Sequence, residues 1–142
     1  MSIKEKETRY REAVRYIENA VEILKTKAKK KDRYYEDVKY VRMACGTAYS
    51  GVLLALNSYL EIKGKPIEKK KGSQVNVKDY QMALAQVDTK ILKEFTTVYR
   101  ILHIDGYYQG EDNYSVIKSG MDSAMQIINK IKPPGVEAFS LN

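Results

Sequence analysis

The sequence predicts an all-α protein, an up-and-down bundle of four main helices with room for a short fifth. Three observations carry that expectation. Met43–Leu60 runs 18 residues without a charge in a chain that is 30% charged. Elsewhere apolar residues recur at gaps of three and four, the spacing of one helix face. Three prolines and eight glycines in 142 residues leave long stretches free of breakers. A chain of this length buries a substantial core as one domain, residues 1–142, without disulfide or metal staples.

The first helix is expected over residues 3–28. Ser2 and Glu5 form a capping-box pair, and Tyr10, Ala13, Val14, Ile17, Ala20, Val21, Leu24 and Ala28 mark one apolar face. Lys25–Arg33 then holds six basic residues in nine positions. It reads as a turn and a frayed helix end, where cations complement the helix dipole. The second helix is placed over residues 34–63, stopped by Gly64 as a left-handed C′ residue and by Pro66. Its stripe of Ala44, Ala48, Gly51 and Ala55 lets another backbone approach closely. Leu53, Leu54, Leu56 and Leu60 spread apolar surface around the same helix, so it must be surrounded.

Residues 64–77 combine Gly, Pro and charge without a period and read as a mobile connection. The third helix, 77–103, is capped by Asn76 and Asp79 and buries Tyr80, Leu84, Val87, Ile91, Phe95, Val98 and Leu102. His103–Asn113, with two glycines, two tyrosines and three acids, reads as a distinctive loop. The last helix, 114–132, turns Val116, Ile117, Gly120, Ala124, Ile127, Ile128 and Ile131 inward and ends before Pro133-Pro134-Gly135. The tail from Val136 is expected to be loosely held.

Composition narrows the function classes. Cys45 is the only cysteine, which excludes an intrachain disulfide and suits a packed thiol in a reducing cytoplasm. The charged N-terminus lacks the apolar run of a secretory signal. Thr47, Tyr49, Ser50, Asn57 and Ser58, with basic residues at both flanks, argue against a membrane span for the charge-free stretch. A net charge of +7 would attract polyanions, yet the two lysine runs fall at opposite ends of the second helix. They make two poles rather than one patch, so nucleic acid is not the favoured partner.

No metal-ligand spacing, phosphate-cradling loop or catalytic pair is present in the sequence, and no metal, cofactor or catalytic residue is assigned on that basis. His103 is the only histidine, with Arg100 one turn before it. One reading makes Arg100 a phosphate anchor and His103 a general acid-base for RNA. The plainer reading has both capping the last carbonyls of the third helix. Asp105, Tyr107 and Tyr108 are the candidates for binding a ligand or partner. The tyrosines on helices are expected to bury their rings and aim their hydroxyls at polar partners.

Ala13-x-x-Tyr16-Ile17-x-x-Ala20, the small-residue second helix closing on Leu60-Glu-Ile-Lys-Gly64, and Tyr107-Tyr108 ahead of Ala124-x-x-Ile127-Ile128 together resemble the HEPN superfamily over residues 5–132. The resemblance implies a helical bundle that pairs as a homodimer. Ribonuclease members carry an Arg followed several residues later by a His. Here Arg100-Ile-Leu-His103 has a shorter spacing, which departs from that pattern. A cytoplasmic bundle acting by self-association or protein contact is the favoured function, and an RNA-directed toxin or ribonuclease the alternative.

Overall fold

The computed structural model describes residues 2–69 and 71–138. Its elements run α1 (Ile3–Ile23), a π-wound turn (Leu24–Ala28), a hairpin of β1 (Lys30–Lys31) and β2 (Tyr34–Tyr35), α2 (Val38–Ile62), α3 (Val77–Val87), α4 (Thr89–Val98), a π-wound segment (Tyr99–Tyr108) and α5 (Tyr114–Lys130). The result is an all-α bundle with one two-stranded ribbon.

The central helix is covered over most of its circumference, but Met43 and Ser50 stay exposed along one side where full enclosure was expected. α2 packs on α1, on Tyr99–Tyr108, on α5 and on the first π-wound turn. Ala44, Cys45, Ala48, Gly51, Val52, Ala55, Leu56 and Leu60 are all buried. A Cβ on Gly51 would stand 2.8 Å from Tyr16 Cβ and 3.0 Å from the Ala13 carbonyl, so the small stripe sets how closely α1 crosses. Gly64 takes φ +74, and Lys65 N–H closes the helix on the Leu60 carbonyl at 2.8 Å.

Four boundaries differ from expectation. The second helix starts at Val38, not residue 34, because Asp37 caps it by accepting from Lys39 N–H at 3.1 Å. Tyr34 and Tyr35 are used instead in the ribbon, paired with Lys31 and Lys30 and tied to the start of α5 through Tyr35 N–H to Asp112 O at 2.8 Å. The third helix breaks at Asp88, which is extended (φ −158, ψ 104) and caps α4 by accepting from Lys90 and Ile91 N–H. Leu84 and Ile91 lie two turns apart on either side, so the apolar period runs straight through the break and conceals it.

The third difference concerns the expected loop 103–113, which is helical as far as Tyr108. Gly106 serves close packing rather than a turn. A Cβ there would lie 2.8 Å from Cys45 Cβ, and the glycine lets the segment settle on α2. The turn comes at Gly110, at φ +68. The fourth is the tail. Val136 is buried, with its N–H on Pro133 O at 3.3 Å, while residues 139–142 lie outside those described.

Among its described residues the connection after α2 has no regular structure, but Ile67 and Val75 pack against the core. Asn76 and Asp79 make the full reciprocal cap of α3. No described helix is long and apolar enough to cross a membrane.

Candidate functional site: an aromatic groove around His103

The π-wound segment determines which side chains meet. Its i→i+5 hydrogen bonds take more than four residues per turn, so positions i+4 and i+5 both come round to face residue i. Tyr99, His103 and Tyr107 stand at successive steps of four, and Tyr108 at five from His103. The imidazole lies 5.4 Å from the Tyr99 ring, 6.0 Å and nearly parallel to Tyr107, and 4.9 Å and edge-on to Tyr108. From α2, Tyr49 stacks on it at 4.5 Å. His103 is thus half-buried among four tyrosines.

Burial depresses the His103 pKa below its ordinary value, because the imidazolium would lose hydration among these rings. Its nitrogens make no hydrogen bond among the described residues, and no buried side-chain nitrogen or oxygen is left sealed without a partner. They therefore keep contact with solvent. Tyr49 is itself pushed well above the usual phenol value by burial, followed by its neighbours Tyr99 and Tyr80, and stays a neutral phenol.

A groove of about 610 Å³ runs beside this cluster. Its α2 wall is Met43, Gly46, Thr47, Ser50 and Leu53, and Tyr16 closes it from α1. None of the ten lining residues is an Asp, Glu, Lys or Arg. Tyr107 lies against Gly46, where a Cβ would meet its Cδ1 at 2.9 Å. Met43, Tyr107 and Tyr108 are 49%, 44% and 60% exposed, which gathers three large apolar side chains at one rim.

The expected cap by Arg100 and His103 is replaced. Because the helix continues past them, the last carbonyls are those of Tyr107 and Tyr108, and Arg42 of α2 donates to both, at 3.4 and 2.9 Å. Arg100 is exposed and lies outside the groove lining, since three residues fall short of a full turn in a π-wound segment. Asp105 is half-buried, also outside the lining, and its carbonyl accepts from Glu111 N–H at 2.8 Å. Of the sequence candidates, the groove unites His103, Tyr107 and Tyr108.

Sequence reasoning missed Tyr49, Tyr99, Tyr16 and the capping role of Arg42. One signal was available: the exposed side of the charge-free stretch, Met43, Thr47 and Ser50, repeats at three and four like the buried side. Cys45, fully buried against Gly106, has its thiol pushed up to about 12 by burial and is a packing group. Tyr10 and Tyr80 aim their hydroxyls at Ile128 O and Asn57 Oδ1, both at 2.9 Å, as helical tyrosines are expected to. Among the described residues no group of three or more His, Cys, Asp or Glu is placed to hold a metal ion.

A family profile described as "Domain of unknown function (DUF5618)" matches residues 8–133. The fold is similar to a solved protein of unknown function from Dyadobacter fermentans, 41% identical, with a TM-score of 0.79 over 93% of this chain and 98% of that one. A search of curated proteins returned no match.

Proposed function

This chain belongs to the DUF5618 family, and we propose that it is a non-enzymatic, cytoplasmic bundle that pairs with a second copy of itself through the groove around His103. The observation that carries the reading is the lining without a formal charge. On a protein of net charge +7, most faces repel an identical face. This one has no cation in its lining, and the exposed Arg42 at its Tyr107–Tyr108 end has its guanidinium engaged by two carbonyls. Burying exposed Met43, Tyr107 and Tyr108 supplies the apolar gain that association needs, with the aromatic rings as anchors. The HEPN resemblance, with its pairing through helices, supports the same arrangement.

Light scattering on the chain at micromolar concentration is expected to give twice the monomer mass. Tyr108→Glu combined with Met43→Glu puts charge on that rim at exposed positions and should return a monomer with unchanged helical circular dichroism, its urea midpoint lowered only by the lost association. A wild-type protein that stays monomeric, or a doubly charged variant that still pairs, overturns the proposal. Incubation with RNA is expected to leave it intact; cleavage by wild type that His103→Ala abolishes would favour the ribonuclease reading instead.

A further inference from the structure

A second depression lies between the end of α1, the ribbon and α5, and shares no residue with the His103 groove. Its floor is apolar: Val21 and Leu24 from α1, Tyr35 from β2, and Met121 and Met125 from α5. Three lysines stand around it, Lys25, Lys29 and Lys30. The remaining charged lining is self-neutralised, because Lys118 Nζ is 2.8 Å from Asp122 Oδ2.

The three lysines have no carboxylate within ion-pair range among the described residues. Lys30 is held over the Tyr114 ring at 4.0 Å, a cation–π contact that fixes its ammonium beside the floor. Tyr114 in turn packs against Tyr35 at 5.6 Å. Lys29 has φ +57 and ψ 121, a conformation in which a glycine would cost less than a lysine. Its presence there keeps a cation at the mouth of the depression. The volume, about 610 Å³, is within the range of small-molecule sites.

An apolar floor bounded by unpaired cations has one complementary partner in chemical terms. We propose that this pocket binds a small organic anion, an apolar body lying on Leu24, Met121 and Met125 and a single carboxylate or phosphate head among Lys25, Lys29 and Lys30. Burial of the body supplies most of the affinity and the lysines select the sign of the head. The flexible methionine side chains of the floor suit a chain or a ring of varied shape.

Calorimetric titration of the full chain at low ionic strength tests this with four ten-carbon probes. Decanoate or decyl phosphate is expected to bind saturably at one per chain, and the tighter of the two identifies the head. Decanol, with the same body and no charge, and decyltrimethylammonium, with the opposite charge, should bind roughly tenfold more weakly or not at all. Replacing all three lysines by Gln should lower decanoate and decyl phosphate affinity by roughly tenfold while leaving the urea midpoint unchanged, since all three are exposed. Met125→Trp fills the floor, retains the cations and should block the same probes.

No saturable binding of either anion at millimolar concentration overturns the proposal. So does equal affinity for all four probes, or a triple-lysine variant that binds as wild type. Tighter binding to RNA or to phosphatidylglycerol vesicles than to either anionic probe, lost in the same triple variant, would reassign the lysines to a macromolecular surface and sink the small-anion reading.

Discussion

Two depressions of the same volume, about 610 Å³ each, have opposite chemistry. The His103 groove has no formally charged residue in its lining, and the depression beside the ribbon has three unpaired lysines around an apolar floor. Each adjoins a π-wound segment, but the two segments do different things. Leu24–Ala28 ends a helix and gives way to Lys29 at positive φ. Tyr99–Tyr108, twice as long, continues a helix and uses its wider turn to gather rings on one side. Size therefore does not distinguish the two sites. Charge does, and it points the first toward a like surface and the second toward an anion.

The largest effect that separates them should come from Gly106→Ala. The new Cβ would sit 2.8 Å from Cys45 Cβ and 3.3 Å from the Ile101 carbonyl, neither of which is the free end of a flexible chain. Overpacking of this kind costs about 1–3 kcal/mol, read as a lower urea midpoint. The π-wound segment should lift from α2 and pairing should fail, while the lysine depression, which has no residue from Tyr99–Tyr108, keeps its anion affinity. Loss of both together would mean that the two sites are parts of one cooperative unit.

Salt should separate them next. Raising sodium chloride from about 50 mM to about 500 mM shortens the screening length several-fold and should weaken decanoate binding severalfold. Pairing through a lining without formal charge should hold or tighten, because screening relieves the long-range repulsion between two chains of net charge +7. Sedimentation in the two buffers, beside the calorimetry, reads both numbers. Pairing that falls with salt would mean that ion pairs outside the groove hold the two copies together.

Much of the bundle was legible because helical period, caps and small-residue stripes are local properties of the chain. Ser2, Asn76 and Gly64 act at their expected positions, and the small-residue stripe of α2, Ala44, Ala48, Gly51 and Ala55, is buried throughout. Several of the misses depend on a partner distant in sequence, whereas the Asp37 and Asp88 caps are local and were masked by the apolar pattern around them. Gly106 looks like a turn residue until Cys45 is placed against it. Arg42 caps a helix 65 residues away. Asp88 ends α3 and starts α4 without disturbing the apolar period. His103, Tyr107 and Tyr108 could be singled out as unusual, but nothing in their spacing announces a π-wound segment, so their grouping with Tyr49 and the exclusion of Arg100 were hidden. The lysine run shows the reverse case: its composition was plain, and the apolar floor behind it required the fold.

The smallest effect is the dependence of stability on pH, and a single histidine makes it clean to read. Burial among the rings lowers the folded-state pKa of His103 below the 6.5 of a free imidazole. Between the two values the unfolded chain binds more protons than the folded one, so unfolding free energy rises with pH across that window. The contribution is fully present above 6.5, declines as pH falls below it, and is exhausted below the folded pKa. Urea midpoints measured downward from pH 7.5 should show this fall as pH drops below 6.5. His103→Phe keeps a ring in the stack and should remove that component, leaving only the carboxylate titrations at lower pH. Pairing should weaken over the same window, since a protonated His103 places a charge in the lining of both copies, whereas decanoate affinity at the lysines should not follow it. An unchanged midpoint across pH 5.5–7.5 in wild type would mean that the imidazole is hydrated as well in the groove as in the unfolded chain.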